Sequence, residues 1–431
     1  MRHLCLSLLL IAGIHGLLAQ GYTTWITGNP NSITTEPLGG VCLMGGATEN
    51  DEAMKWFLQR ANGGDVLVLR ASGSNGYNNY FYSELGVTIN RVETIRFDNA
   101  TAAYVPYVHQ RIQEAEAIWF AGGDQWNYVN YWRDTPVATL INEAIQQRGI
   151  VIGGTSAGMA ILGGANFTAQ VSSVTSAQAL ANPYHPGVTV STQPFLEVPY
   201  MEQVVTDTHY DNPDRRGRHT VFMARTLADH GWDVKGIASE EYVAVCVDPE
   251  GIARVYGEYP AFQDFAFFLQ VNCLEPDGPE TITPGIPLTW HHGGQAVKAY
   301  RVPGTMQGTH TFDLNDWNTG SGGTWQSWSV QNGTFMAMAG DPAPNCITAT
   351  EDPSSEDVRL LYDGSTETWV LRGPRPPFSA MVIDLLGRPV PTEVIPDEGG
   401  LRVRLHGSAH GLRILTVRSA DGVRSWMLSA H

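Results

Sequence analysis

The sequence predicts an α/β fold, a mostly parallel sheet with helices on both faces, followed by a small C-terminal all-β sandwich. Three observations predict it. From Gly39 to about Val247, short apolar runs end in small-residue turns and alternate with helical periodicity, the pattern of buried parallel strands joined by crossover helices. After about residue 250 the texture shifts to aromatics, glycine and turn residues with period-2 segments. A Pro-rich joint, Gly373-Pro374-Arg375-Pro376-Pro377, then introduces further alternating strands.

At the amino end, Arg2 precedes the apolar run Leu4 to Leu18 and then Ala19-Gln20, the layout of a secretory signal peptide over residues 1–20. The run is short for a membrane span, and no later stretch reaches the roughly 18 uninterrupted apolar residues a crossing needs. Cys5 precedes most of the run, where a lipoprotein cysteine would follow it. The expectation is a soluble protein, secreted or at the cell surface. Four cysteines then remain, Cys42, Cys246, Cys273 and Cys346, enough for two disulfides with three pairings open.

The next elements follow in order. Val41 to Met44 reads as a buried strand ending in the Gly45-Gly46 turn, and Asp51 to Ala61 as a helix with Met54, Phe57 and Leu58 on one side. Asp65 to Leu69 stops at Ser72-Gly73-Ser74, Ala117 to Phe120 at Gly122-Gly123, and Gly149 to Ile152 at Gly153-Gly154. Each run delivers its turn to the carboxyl edge of the sheet, where ligands bind in open α/β folds. The expected organisation is a domain over 21–345 with a β-rich flank, a linker over 346–377 and a β-sandwich over 378–431.

Composition narrows the function. The 431 residues are 43% hydrophobic and 16% charged, with a formal net charge of −17, which favours a sizeable core and no broad basic surface. Nucleic acid is therefore not an expected partner.

The motif Gly154-Thr155-Ser156-Ala157-Gly158 sits between a β-branched run and Met159-Ala160-Ile161-Leu162. A serine on a sharp strand-to-helix turn projects its hydroxyl outward, and its following backbone N–H can face an oxyanion. That makes Ser156 a candidate nucleophile and Ala157 an oxyanion donor, with Gly123 of Gly122-Gly123-Asp124-Gln125 as the second donor and Gln125 as a substrate-orienting amide. A serine needs a base. His209, ending the run Val204 to Tyr210 beside a charged loop, is the candidate. Glu240 and Glu241 open the run Tyr242 to Val245, and either can orient the imidazole. Arg215, Arg216 and Arg218 crowd four positions, suited to gripping a substrate carboxylate. Pairing with Asp207, Asp211 and Asp214 is the alternative.

Taken in order, Met44-Gly45-Gly46, Leu67 to Ser72, Gly122 to Gln125, Gly153 to Gly158 and Asp207 to Arg218 resemble the cyanophycinase-like serine peptidases, which share the fold of class I glutamine amidotransferases. The resemblance covers roughly residues 38 to 250. It implies an exopeptidase or isopeptidase acting on aspartyl or β-aspartyl peptides through an acyl-enzyme, with no cofactor or metal. Ser156 is implied as nucleophile, His209 as base and Glu241 as the third member, while Gln125, Asp207, Arg215 and Arg218 are similar to substrate-pocket positions. Enzymes that degrade cyanophycin typically show Asp-Gln-His and an arginine four residues after the histidine. Here those positions are Thr208 and Pro213, so cyanophycin itself is not the expected substrate.

Ala380 to Arg388 with Leu412 to Val417 resembles the β-sandwich sorting domain read by type IX secretion systems. Expected partners are a peptide substrate, that secretion machinery and a second copy of the chain. Two rival functions stand beside the peptidase: an α/β-hydrolase esterase, which needs the order serine, acid, histidine, as with Asp233 and His291, and a catalytically silent surface or binding protein on the same scaffold. His291-His292 are adjacent and would point to opposite faces of a strand, a poor metal pair.

Overall fold

The computed structural model describes residues 21–274, 278–340, 359–363, 368–372, 379–384, 388–397, 400–405, 412–419 and 422–429. The expected signal peptide lies outside the described residues. Contacts divide the chain into two compact units, Met1–Cys346 and Ile347–His431.

The first unit begins β1 (Tyr22–Gly28), β2 (Val41–Met44), α1 (Asp51–Arg60), β3 (Asp65–Arg70), α2 (Gly76–Asn79), β4 (Arg91–Phe97), α3 (Pro106–Glu114), β5 (Ala117–Phe120), α4 (Gln125–Trp132), α5 (Pro136–Arg148) and β6 (Val151–Thr155). Strands β4, β3, β5, β6 and β2 lie side by side and parallel, the heart of the sheet. Their apolar runs are continuous because helices cover both faces: all four residues of β2 and of β5 are buried. Helix α1 shows how the covering layer forms. Asn50 caps it by accepting from the Ala53 N–H, Asp51 and Glu52 occupy the first turn, and Ala53, Met54, Phe57 and Leu58 are fully buried. Each of the three larger side chains contributes roughly 1.5–3 kcal/mol on burial.

The chain continues through α6 (Ala157–Ala160), β7 (Asn166–Phe167), α7 (Ser176–Ala181), β8 (Val190–Ser191), β9 (Val204–Asp207), α8 (Arg216–His230), β10 (Lys235–Ser239), β11 (Ala244–Val247) and β12 (Ile252–Tyr259). It ends in β13 (Phe265–Val271), β14 (Val297–Pro303), β15 (His310–Asp313), β16 (Gly320–Ser321), β17 (Thr324–Gln331) and β18 (Thr334–Ala339). Strand β11 adds antiparallel to β2, and β12, β15 and β16 extend that sheet to ten strands. The remainder builds a second sheet, ordered β18-β17-β14-β13-β10-β9, in which only β9 and β10 run parallel. One apolar cluster joins the two sheets, with Leu43, Ile118 and Ile152 from the first and Ile237, Phe268 and Val302 from the second. Among the described residues no helix is long and apolar enough to cross a membrane.

Two boundaries differ from the sequence reading. Gly153-Gly154-Thr155, read as the turn, belongs to β6, because these positions pair with Cys42, Leu43 and Met44 of β2 and the chain turns only at Ser156. The stretch 346–377, read as a linker, contains strands Arg359–Asp363 and Thr368–Arg372. The second of these pairs with Gly400–Leu405. The two pair with each other as a hairpin, and the second finds its further partner some thirty positions on, which periodicity does not reveal. The second unit holds a four-stranded and a three-stranded sheet that share a small core of Val382, Leu401, Val403, Leu415 and Val417.

Candidate active site

The site forms where three strand ends meet. Ser156 follows β6 directly, in the strained backbone φ 53°, ψ −116°, a conformation that costs a non-glycine residue on the order of 1–3 kcal/mol. It holds because both sides are fixed: the Ser156 N–H donates to the Met44 carbonyl at 3.1 Å, and its own carbonyl accepts from Ala160 N–H at 2.9 Å. Gly158 allows the tight return, since a β-carbon there would stand 2.1 Å from the Phe120 carbonyl oxygen. The helix that follows spans only Ala157–Ala160, so its dipole adds less than a long helix would.

His209 lies two residues beyond β9, also at positive φ (45°). Its backbone N–H donates to the Gly45 carbonyl at 2.9 Å. Its ring reaches both neighbours, with Nε2 2.9 Å from the Ser156 Oγ and Nδ1 2.7 Å from Glu241 Oε1. Glu241 lies in the turn between β10 and β11. Asp211 accepts its backbone N–H at 3.2 Å, and the next residue, Tyr242, donates to the Gly46 carbonyl at 3.2 Å. Thus Met44, Gly45 and Gly46 anchor the serine, the histidine and the glutamate turn in succession. Sequence reasoning read Gly45-Gly46 as a turn after a strand and as part of a family-like segment, and Asp211 as a partner for the arginines. It foresaw neither the anchoring by Met44 to Gly46 nor the contact of Asp211 with the Glu241 backbone.

The two adjacent glutamates divide cleanly. Glu240 turns away from the imidazole and accepts the Phe265 N–H at 2.7 Å, while its own N–H donates to the Phe265 carbonyl. Burial, with Asp211 and Asp264 nearby, pushes its carboxyl up to about 7.

A cavity of about 230 Å³ opens on this line, walled by Gly123, Gln125, Ala157, Phe167, Thr208, Arg215 and others. The Gly123 and Ala157 N–H groups have no hydrogen-bond partner among the described residues, as donors awaiting an oxyanion would. Gln125 reaches the Phe167 carbonyl at 3.4 Å. Arg215 bonds the Thr208 carbonyl at 2.8 Å and makes no ion pair among the described residues. Burial, with Arg218 close by, lowers its guanidinium below the usual range.

Asp207 and Arg218 also line the cavity, yet they are committed to each other. Arg218 grips Asp207 through Nε at 2.9 Å and Nη2 at 2.5 Å, with both side chains nearly inaccessible. Burial pushes the Asp207 carboxyl up and the Arg218 guanidinium more than offsets it, leaving it below the usual carboxylate range. Arg216 is likewise paired, with Asp214 at 2.7 Å. Pairing, the alternative reading of the arginine cluster, therefore describes Arg216 and Arg218, and Arg215 is the one left facing the cavity.

The rival assignment finds no support in the geometry. Asp233 is exposed and bonds Lys235, and the His291 backbone is held by Glu280. The imidazole at Ser156 is that of His209.

Known proteins resemble this chain at low identity. A family profile described as "Peptidase family S51" matches residues 43–183, a span that includes Gly123, Gln125 and Ser156 and stops short of His209. Cyanophycinases of Trichormus variabilis and of a Nostoc species are each 23% identical over 228 residues, covering 51% of this chain and 70% of theirs. A solved peptidase from an acI-B1 Actinobacterium is 16% identical, with a TM-score of 0.38 over 52% of this chain and 89% of its own. The sequence matches support the cyanophycinase-like peptidases and, more broadly, a serine-type peptidase.

Proposed function

We propose that this chain is an exported serine exopeptidase or isopeptidase that hydrolyses aspartyl or β-aspartyl peptide bonds. The observation that carries the reading is the hydrogen-bonded line from Ser156 Oγ through His209 to Glu241, facing a cavity beside two backbone donors without a partner among the described residues. In this mechanism His209 Nε2 takes the Ser156 proton as Oγ attacks the substrate carbonyl, and the Gly123 and Ala157 N–H groups hold the oxyanion. His209 then protonates the leaving amine. Water, deprotonated by the same imidazole, cleaves the acyl-enzyme and restores the serine. Glu241 holds the Nδ1–H and stabilises the imidazolium.

Arg215 is the residue assigned to a substrate carboxylate, because it alone of the three arginines has no acidic partner among the described residues. Gln125 orients the substrate amide, while Asp207 and Arg218 shape the wall. The departures at Thr208 and Pro213 argue against cyanophycin and for a smaller aspartyl peptide. Export rests on the Arg2 to Gln20 pattern, and delivery by type IX secretion on the C-terminal strands.

The test is a panel of α- and β-aspartyl dipeptides assayed with wild type and Ser156→Ala, together with fluorophosphonate labelling. Turnover and labelling that both vanish in the variant support the proposal. Undiminished turnover in Ser156→Ala, or wild type inert to every peptide and to the probe, would sink it, the latter in favour of the silent-scaffold alternative.

A further inference from the structure

Cys42 on β2 and Cys246 on β11 face each other across an antiparallel pair in direct register, with their sulfurs 3.6 Å apart. Both are fully buried, and both are free thiols here. Residues directly opposite in an antiparallel ladder hold their α-carbons roughly 4.5–5.5 Å apart, inside the range of about 4.4–6.8 Å that a disulfide spans. The spacing of the pair therefore suits a bond, with the sulfurs drawn together from 3.6 Å. Cys273 is already disulfide-bonded, so it does not compete for either.

We propose that Cys42 and Cys246 close into a cross-strand disulfide when the chain folds with a disulfide oxidant present, stapling the two strands that feed the active-site turns. The step balances with glutathione disulfide as oxidant. One cysteine thiolate attacks it, forming a mixed disulfide and releasing one glutathione thiolate. The second cysteine, after losing its proton, attacks the protein sulfur and releases the other. Two protein thiols are oxidised, one glutathione disulfide is reduced to two glutathione thiols, and the two protons pass to solvent or to the released thiolates.

The placement gives the staple its purpose. Strand β2 runs into Met44-Gly45-Gly46, whose carbonyls hold Ser156, His209 and Tyr242. Strand β11 begins three residues after Glu241. A bond between positions 42 and 246 fixes the register of those two strands immediately behind the site. Burial holds the Cys246 thiol well above its ordinary range, so it stays protonated once packed. Closure therefore belongs to folding, before the cluster of Ala53, Met54, Phe57 and Tyr256 seals the pair from solvent.

The experiment refolds the reduced full chain with and without a glutathione redox buffer, alkylates remaining thiols in denaturant with N-ethylmaleimide, and maps peptides by mass spectrometry without reduction. A peptide linking Cys42 to Cys246, present only in the redox-buffered sample, supports the proposal. Quantitative alkylation of both cysteines after oxidative refolding overturns it, as does either one linked to a different cysteine. A second readout guards the stapling claim: fluorophosphonate labelling of Ser156 across a urea series. The oxidised form keeps labelling to a higher urea concentration than a Cys42→Ala/Cys246→Ala variant, and coincident curves overturn the structural role. Linkage is read by mass whether or not Ser156 proves reactive, so the outcome is separable from that of the peptidase assignment.

Discussion

The ring of His209 lies directly over Gly46, so closely that a β-carbon at position 46 would stand 2.4 Å from its Cε1 and Nε2 atoms. Gly46 also adopts φ 124°, a conformation L side chains rarely hold. Gly46→Ala therefore moves the imidazole away from Ser156 without substituting any residue of the triad. Hydrolysis is expected to fall on the order of 100-fold or more, as for misplacement of a catalytic group, with the far-ultraviolet circular dichroism unchanged. Retention of wild-type fluorophosphonate reactivity would show that the imidazole is not held by this contact.

Glu241 and Glu240 are neighbours with opposite duties, and substitution separates them. Glu241→Gln removes the acceptor that fixes the Nδ1–H of His209, and activity should drop by about 10² to 10⁴. Glu240→Gln leaves the imidazole untouched, and kcat at pH 7 should stay within about threefold of wild type. Equal losses in the two variants would contradict the geometry, in which only Glu241 touches the ring.

The same Glu240 gives stability a pH dependence near neutrality. Its folded value of about 7 lies above its ordinary 4.5, so between those values the folded state keeps a proton that the unfolded state has released. Stability from this group is complete below about pH 4.5 and is lost as pH rises through 7. The urea midpoint of the wild type should decline across that window, and Glu240→Gln should flatten the decline. A variant whose slope matches wild type would place the titration elsewhere.

Much of this site could be read along the chain because its parts mark themselves locally. Ser156 stands between glycines at the end of a β-branched run, and His209 follows another run beside a charged loop. Glu241 was legible only as one of an adjacent pair, since nothing local says which carboxylate turns toward the ring. The anchoring of all three on Met44-Gly45-Gly46 was invisible for a plainer reason: it depends on β2 lying between β6 and β11, a register set by contacts more than a hundred residues apart. Asp207 and Arg218 show the same limit. The family resemblance placed them among the pocket positions, but burial decides that each satisfies the other. The six-stranded sheet was foreseen only as β-rich texture, because antiparallel strands of mixed exposure carry no signal for which neighbour they choose.

Arg215 and Arg218, three residues apart, should fail in different ways. Arg218→Ala strands the Asp207 carboxylate in a buried site, and leaving one partner of a buried pair alone costs about 3–5 kcal/mol. The variant should melt early and lose activity with the fold. Arg215 has its head group in the cavity and a carbonyl as its recorded partner, so Arg215→Ala should leave the melting temperature within a few degrees of wild type. If this guanidinium receives the substrate carboxylate, KM for acidic peptides rises tenfold or more, in line with the roughly 1.5–3 kcal/mol of a charged hydrogen bond. Arg215→Lys should recover part of that loss, because a point charge survives while the bidentate fork does not. The decisive comparison is an aspartyl peptide against its asparaginyl counterpart. Wild type should prefer the acid and Arg215→Ala should lose the preference, whereas an unchanged ratio would show that the carboxylate is bound by some other group.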